Sequence, residues 1–282
     1  MLKLELRKGV SDMERIIICI VFGLLALYLF LLFPTLRRHS DRQLMKGMYV
    51  AHRGLHAAKA GIPENSLKAF SLACELGFCI EIDIHLTRDG HIVVFHDDTT
   101  QRICGKDLKV EECTLAQLTQ LRLSDTDEHI PTLEEVLCLV NGKVPLLIEF
   151  KSVYGNSFAL CAAADKILSK YQGKYMVQSF YPPVLYWYRK NRPQICRGQL
   201  SQNFIAHKGQ RSLSKILAGW LLLNFISRPD FISYNYEDAN AFSRGLCTAL
   251  GAFSVGWTFR DAPALAAARP LFDTYIFENF LP

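Results

Sequence analysis

The stretch Ile80-Glu81-Ile82-Asp83-Ile84 decides the fold, because it alternates isoleucine with acid over five consecutive residues. Alternate side chains of a β-strand share a face, so the isoleucines point one way and both carboxylates the other. A solvated edge strand is one explanation, but the isoleucines favour a strand that is buried on both faces. Two buried acids are costly unless they are paired or bind a metal. The stretch therefore predicts a buried strand that carries a metal-binding pair of acids.

Apolar, strand-like runs alternate with helical patterns on both sides of this stretch. Strands are predicted at 49–53, 80–86, 91–96, 144–150, 175–180, 195–200, 230–234, 254–257 and 275–277. Helices are predicted near 64–77, 114–122, 132–141, 156–171, 182–191, 212–226, 239–250 and 261–268. Such alternation is typical of a parallel sheet covered by helices. With about eight units, the pattern predicts a closed (β/α)8 TIM barrel of the α/β class rather than a doubly wound open sheet.

Further chemistry is predicted at the carboxyl ends of other strands, where barrels collect their active groups. Glu149 ends the apolar run 144–150, and a third carboxylate suits a hard cation such as Mg²⁺ or Ca²⁺. Lys151 shares the face of Glu149 and either meets a phosphate oxygen or forms a plain salt bridge. His52 and His96 also end strands, and near neutral pH one imidazole can accept a proton while the other donates one.

Arg53 offers a planar fork that matches a phosphate, and Gly54 would let the backbone approach a ligand. Glu64 either begins a helix or lies near the active centre. Thr132 and Glu135 have the spacing of a helix-capping box. The other histidines are not accompanied by such candidate site residues and are predicted to be surface or structural residues: His39, His56, His85, His91, His129 and His207.

Residues 16–33 contain no charge and are nearly long enough to span the ~30 Å hydrocarbon core of a bilayer. A cleaved signal peptide and a buried core helix are the alternatives. A retained single-pass anchor is favoured, because the run is long and no small-x-small cleavage site follows. The predicted organisation is a basic tail at 1–15, the anchor, a linker at 34–47 and a barrel at 48–282. A second apolar stretch, 213–226, is either a buried barrel helix or a helix pressed on the bilayer with Trp220 at the interface.

Charge and cysteine content narrow the partners. Residues 1–46 hold 8 of the 32 Lys and Arg and 4 of the 27 Asp and Glu, so the barrel is nearly neutral. This distribution suits contact with anionic lipid and excludes a nucleic-acid surface. Basic residues flank the anchor equally, so the positive-inside rule gives no orientation. The dispersed cysteines are typical of a reducing compartment, which favours a catalytic domain on the cytoplasmic side of the cell membrane. No glycine-rich nucleotide loop is present.

Eight short motifs follow one another along the chain. They are Ala51-His52-Arg53-Gly54, Pro63-Glu64-Asn65-Ser66, Glu81-Ile82-Asp83, Leu86-Thr87-Arg88-Asp89-Gly90, Val94-Phe95-His96-Asp97, Ile130-Pro131-Thr132-Leu133-Glu134-Glu135, Ile148-Glu149-Phe150-Lys151 and Gly256-Trp257-Thr258. In order and spacing they resemble the motifs of the glycerophosphodiester phosphodiesterases, which belong to the phospholipase C-like phosphodiesterase barrels. The resemblance is dense up to residue 151 and looser afterwards, and 201–229 has no counterpart in it. It implies a (β/α)8 barrel with a small insertion at about 97–130.

The resemblance also implies metal ligation by Glu81, Asp83 and Glu149, with His52 and His96 as acid and base. We expect metal-dependent hydrolysis of glycerophosphodiesters to glycerol 3-phosphate and an alcohol. Phosphate or substrate contacts are expected from Arg53, Lys151 and Trp257, although Trp257 is equally well explained as a core aromatic. One alternative is a lysophospholipase D-like enzyme that acts on lysophospholipids at the membrane. Another is an inactive barrel that binds a lipid or a partner. The sequence leaves open the leaving alcohol, the metal and the oligomeric state.

Overall fold

The computed structural model describes residues 2–35, 46–152, 155–209 and 211–282, without the side chains of 2–11 and Lys208. Its centre is the acid-alternating strand β2, which pairs in parallel with strands on both sides. The strands are β1 Tyr49–Ala51, β2 Cys79–Leu86, β3 Ile92–Val94, β4 Leu146–Phe150, β5 Tyr175–Ser179, β6 Arg197–Ser201, β7 Phe231–Asn235, β8 Phe253–Phe259 and β9 Thr274–Phe277. Pairing runs β1-β9-β8-β7-β6-β5-β4-β2, and a β1–β2 pair closes the ring. The predicted (β/α)8 barrel is confirmed.

Strand β3 stands outside the barrel. The sequence pattern placed it among the alternating units, but it runs antiparallel to β2, with Ile84 paired to Val94. Residues after β3 carry two short helices, α3 Gln101–Cys104 and α4 Leu115–Leu118. The insertion has an apolar core of its own, formed by Val93, Phe95, Val110, Cys113, Leu118, Leu121, Leu123 and Ile130. The insertion predicted at 97–130 falls in this region.

The remaining helices pack mainly around the barrel. They are α1 Leu2–Leu32, α2 Leu67–Glu75, α5 Leu133–Val140, α6 Ser157–Leu168, α7 Pro182–Asn191, α8 Phe204–Lys208, α9 Leu213–Gly219, α10 Asn224–Ser227, α11 Phe242–Ala249 and α12 Ala262–Ala268. The capping box predicted at Thr132 and Glu135 begins α5. One helix at 212–226 was a wrong prediction, because the chain breaks at Leu221, whose φ is +60°. The apolar run therefore folds as α9 and α10, and α8 was not predicted.

Two apolar layers hold β2 in place. Ile80, Ile82 and Ile84 are fully buried between the strands and the helices, which stabilises the fold by roughly 1.5–3 kcal/mol for each side chain relative to exposure. On the opposite face, a separate cluster fills the barrel interior: Val50, Cys79, Leu147, Met176, Cys196, Phe231, Val255 and Ile276. Because β2 side chains alternate, Glu81 and Asp83 follow Cys79 on that inner face, nearer the carboxyl end.

Helix α1 is longer than the predicted anchor, since it begins at Leu2 and so includes most of the predicted tail. Its segment Asp12–Leu32 has the length and composition of a membrane span or a signal sequence, and only 6% of it is buried. Such low burial is inconsistent with a core helix. The helix ends against the barrel, where the Arg228 Nη1 donates to the carbonyls of Phe30 and Phe33, each at 2.8 Å. Most of the predicted linker, 36–45, lies outside the described residues.

Candidate active site

Three carboxylates meet inside the carboxyl end of the barrel. Glu81 and Asp83 come from β2, and Glu149 comes from β4 in direct register with Asp83. All three side chains are buried, and one oxygen of each lies within 4.8 Å of the others. Burial raises the pKa of Glu81 well above its ordinary value, and the charges of Asp83 and Glu149 raise it further. A buried set of three hard oxygen ligands fits a divalent cation, which would relieve this repulsion.

Two cationic side chains lie beside the carboxylate cluster. Lys151 Nζ lies 2.5 Å from Glu149 Oε1 and 3.0 Å from Asp83 Oδ1. Arg53 Nε lies 3.5 Å from Asp83 Oδ2. Burial acts to raise the pKa of Asp83, but Lys151 and other cationic neighbours hold it well below its usual range. The three carboxylates thus have two cationic neighbours, Lys151 and Arg53, and Arg53 also pairs with Glu64.

His52 follows β1 and is held by a carboxylate that follows β9. Its Nδ1 lies 2.5 Å from Glu278 Oε2. The pKa of Glu278 is well below its usual range despite burial, because His52 donates to it and the charge of Arg260 acts on it. An ionised carboxylate only accepts, so His52 Nδ1 carries the proton and Nε2 keeps its lone pair. Burial, followed by the charge of Arg53, lowers the pKa of His52 to about 4. The imidazole is therefore neutral near pH 7.

His96 has a matching arrangement at the edge of the insertion. Its Nδ1 lies 2.5 Å from Asp97 Oδ1, and Arg102 Nε donates to Asp97 Oδ2 at 2.6 Å. The backbone N–H of Phe95 donates to the Asp83 carbonyl at 2.9 Å, which brings the end of β3 to the barrel mouth. The two histidines thus each carry a carboxylate on Nδ1 and keep Nε2 available.

Glu64 connects the two sides of the site. It accepts from Arg53 Nη1 at 2.7 Å and from Arg102 at 2.7 and 2.9 Å. Burial opposes ionisation, but the bonds and charges of both arginines lower the pKa of Glu64 to about 2. Of the two explanations that the sequence allowed for Glu64, the position near the active centre agrees with the structure. Helix α2 is instead capped by Ser66, whose Oγ accepts from the Ala69 N–H at 3.1 Å.

The backbone at Arg53 and Gly54 has positive φ angles. Arg53 has φ +55°, and its N–H donates to Glu81 Oε2 at 3.1 Å. Gly54 follows with φ +80°, and a Cβ there would lie 2.9 Å from both Ala69 Cβ and Phe70 Cδ1. The close packing against helix α2 explains why a glycine is needed at Gly54, and the approach of a ligand to its backbone stays a prediction.

Trp257 lies on β8 at the same end of the barrel. Its ring contacts that of Phe180 edge to face, with centroids 5.9 Å apart. Its buried Nε1 has no hydrogen-bond partner among the described residues. A buried donor without a partner is costly, and a ligand oxygen at the barrel mouth would satisfy it.

Several side chains at the site were not predicted from the sequence. His56 was predicted to be peripheral, yet its Nε2 lies 3.7 Å from Glu278 Oε2. Glu278 follows the last barrel strand directly, so the strand-end rule that found Glu149 also applied to it. Asn65 donates from Nδ2 to Asp83 Oδ2 at 2.9 Å. No pattern in the sequence singled out Arg102, because its partners lie on other elements.

Comparisons with known proteins point to one family. A model of the glycerophosphoryl diester phosphodiesterase family matches residues 52–224, and so includes most of the segment 201–229 that lacked recognisable motifs. A glycerophosphodiester phosphodiesterase of Caldanaerobacter subterraneus is 40% identical over 116 residues, which are 38% of this chain and 46% of that protein. Glycerophosphodiester phosphodiesterase 1 of Rattus norvegicus is 30% identical over 263 residues, with 77% of each chain covered. An Oleispira antarctica phosphodiesterase, solved with the product sn-glycerol-3-phosphate, shares the fold with TM-score 0.68 and 24% identity, covering 84% of this chain and 94% of that one.

Proposed function

The chain belongs to the glycerophosphoryl diester phosphodiesterase family, a family of phosphoric diester hydrolases, and we propose that it hydrolyses glycerophosphodiesters to glycerol 3-phosphate and an alcohol. The observation that carries this proposal is the carboxylate cluster of Glu81, Asp83 and Glu149 between two histidine–carboxylate pairs. The product bound to the Oleispira antarctica phosphodiesterase supports a glycerol phosphate moiety in the substrate.

The charged groups are proposed to bind the phosphodiester. Glu81, Asp83 and Glu149 would hold Mg²⁺ or Ca²⁺, which supplies Lewis-acid stabilisation of charge on the phosphoryl oxygens. Arg53 and Lys151 offset the same charge from the barrel wall, and in a site shielded from water such interactions are strong. Trp257 would close the apolar side and offer its Nε1–H to a substrate oxygen.

The two histidines are proposed to move protons during an in-line displacement at phosphorus. Neutral His52 takes a proton from the nucleophile, which is either water or the neighbouring glycerol hydroxyl. In the second case a cyclic phosphate forms, and water then opens it to glycerol 3-phosphate. His96 gives a proton to the leaving alkoxide. Glu278 and Asp97 hold the two rings with Nε2 towards the substrate and stabilise whichever ring is cationic. Each transfer contributes about 10²–10⁴ in rate.

The test is a comparison of His52→Ala and His96→Ala with the unaltered chain on glycerophosphocholine. We expect each variant to lose about 10²–10⁴ in turnover while its circular dichroism spectrum is unchanged. His129→Ala is a suitable control, because the partner of His129 Nε2 is Glu135 Oε1, at 3.1 Å, and neither residue belongs to the carboxylate cluster. Full activity of either site variant, or of the unaltered chain in chelator, would overturn the assignment. Absence of any divalent-ion binding in a titration would instead favour the inactive barrel.

A second candidate function is a lysophospholipase D-like reaction, which the exposed apolar helix α1 favours because it would hold the barrel beside lipid substrates. Rates on glycerophosphocholine and lysophosphatidylcholine separate the two. We propose that α1 is a retained single-pass anchor in the cell membrane with the barrel on the cytoplasmic side. The nine cysteines are all free, which is compatible with a reducing compartment. Protease accessibility of a tag after Pro282 in intact cells tests this orientation.

A further inference from the structure

The direction in which helix α1 leaves the barrel decides what the catalytic end faces. At the amino end of β7, the Thr35 N–H donates to the Pro229 carbonyl at 3.0 Å. At the carboxyl end of β7, Tyr28 lines a cavity together with Tyr234 and Asp238. From Tyr28 to Thr35 the chain thus passes from the carboxyl end of β7 to its amino end, as helix as far as Leu32, so this part of α1 runs antiparallel to β7 along the barrel wall. The exposed residues 12–27 therefore project beyond the carboxyl end of the barrel, where the carboxylates and histidines lie.

The same end of the barrel carries large apolar side chains in contact with solvent. The apolar rim is defined as Ile205, Leu213, Trp220 and Phe242, which are 42%, 71%, 59% and 75% exposed. Three of them, Ile205, Trp220 and Phe242, line the cavity of about 410 Å³ that also includes Tyr28 of α1. Contiguous exposed apolar groups mark membrane or partner contacts. Tryptophan is enriched where protein crosses from hydrocarbon to headgroups.

An aromatic path links the rim to the site. The ring of Phe204, which lines the cavity, lies 6.0 Å from that of Phe180. Phe180 in turn contacts Trp257 at 5.9 Å between ring centroids. Aromatic rings therefore connect the cavity to the catalytic groups at one end of the barrel, and α1 rises beside it.

We propose that this face lies on the bilayer that holds α1, with the apolar rim inserted at the boundary between headgroups and acyl chains. The occupant of the cavity is then an acyl chain of that bilayer. Continuity with α1 favours lipid over another macromolecule, because residues 12–27 leave the barrel beside the rim. A consequence, which rests on the proposed function, is that the active site opens to the headgroup layer and takes phosphodiesters from the membrane.

Fluorescence quenching tests the docking without reference to activity. The full chain is reconstituted in phosphatidylcholine vesicles whose acyl chains carry bromine near the headgroup, and its three tryptophans are excited. We expect quenching that is lost in Trp220→Phe and retained in Trp187→Phe. Equal quenching in the Trp220→Phe variant and the unaltered chain would overturn the proposal. Absence of quenching in the unaltered chain, together with cross-linking of Trp220 variants as dimers, would also overturn it. A second copy of the chain would then cover the rim.

Activity measurements separate failure of the docking from failure of the chemistry. In the double variant Leu213→Ser, Phe242→Ser, neither altered residue belongs to the catalytic machinery. We expect it to keep its rate on soluble glycerophosphocholine in detergent and to lose about tenfold or more on vesicle-bound lysophosphatidylcholine. If the unaltered chain cleaves neither substrate, the proposed function fails while the quenching result still decides the docking. If the soluble substrate is cleaved and the double variant is unimpaired on vesicles, the docking alone fails.

Discussion

Replacement of Glu278 by alanine tests the proposed catalytic role of His52 from the other side of its ring. Glu278 Oε2 lies 2.5 Å from His52 Nδ1, while Oε1 accepts from Arg260 Nε at 2.7 Å. Loss of the carboxylate frees the ring to rotate and removes the charge that would stabilise the imidazolium. A hydrogen bond to a charged group contributes about 1.5–3 kcal/mol. At 1.36 kcal/mol per tenfold, this predicts a fall of about 10- to 150-fold in kcat/KM.

The assay is release of glycerol 3-phosphate from glycerophosphocholine at pH 7.5 with saturating divalent ion. Glu278→Gln is the matched variant, because its amide oxygen still accepts from Nδ1, and it should lose less than Glu278→Ala. Arg260→Ala controls for the exposed ion pair and should have little effect, since surface pairs contribute about 0–1 kcal/mol. In a double-mutant cycle, Glu278→Ala should cost nothing further once His52 is alanine. Additive losses, or a fully active Glu278→Ala enzyme, would show that Glu278 does not act through His52.

Three further outcomes are expected. The acid limb of kcat/KM should lie well below the ordinary imidazole pKa, because burial lowers the pKa of His52 to about 4; an acid limb with its inflection at pH 6.5 in a pH–rate profile would contradict this. Asp83→Asn should weaken Mg²⁺ or Ca²⁺ binding, measured calorimetrically, by more than the ~10–100-fold typical of groups around a metal site; unchanged affinity would exclude Asp83 as a ligand. Gly54→Ala should destabilise the fold by at least about 1–3 kcal/mol in urea unfolding, since its Cβ would meet Ala69 at 2.9 Å; an unchanged midpoint would argue against the close packing.

The barrel could be predicted from the sequence because β2 and β4 are buried on both faces, so any polar residue in them is conspicuous. The same alternation indicated where Glu81, Asp83 and Glu149 converge, since carboxyl ends of parallel strands share one rim. The direction of β3 was missed although the signal was present. Only five residues separate β2 from β3, too few for the crossover that a parallel pair requires.

Other features depend on contacts that no local pattern encodes. The break at Leu221 interrupts a run whose composition favours one helix, and tertiary packing overrides that propensity. The bonds of Arg102 to Glu64 and Asp97 join residues 38 and 5 positions apart, on a loop and on the insertion. Arg53 stands beside a strand-end histidine, whereas nothing next to Arg102 in the sequence distinguishes it from a surface arginine.

The position of Arg102 on the insertion links the candidate site to the local stability of that insertion. The insertion that carries it has a small core separate from that of the barrel. Proteins open in such cooperative units at free energies below that of global unfolding. Each opening would withdraw Arg102 from Glu64 and carry with it Asp97, which lies on the same insertion, and so loosen Arg53 on one side of the site and His96 on the other. Hydrogen exchange in the insertion and thermal loss of activity should therefore follow one local equilibrium, while the barrel remains folded.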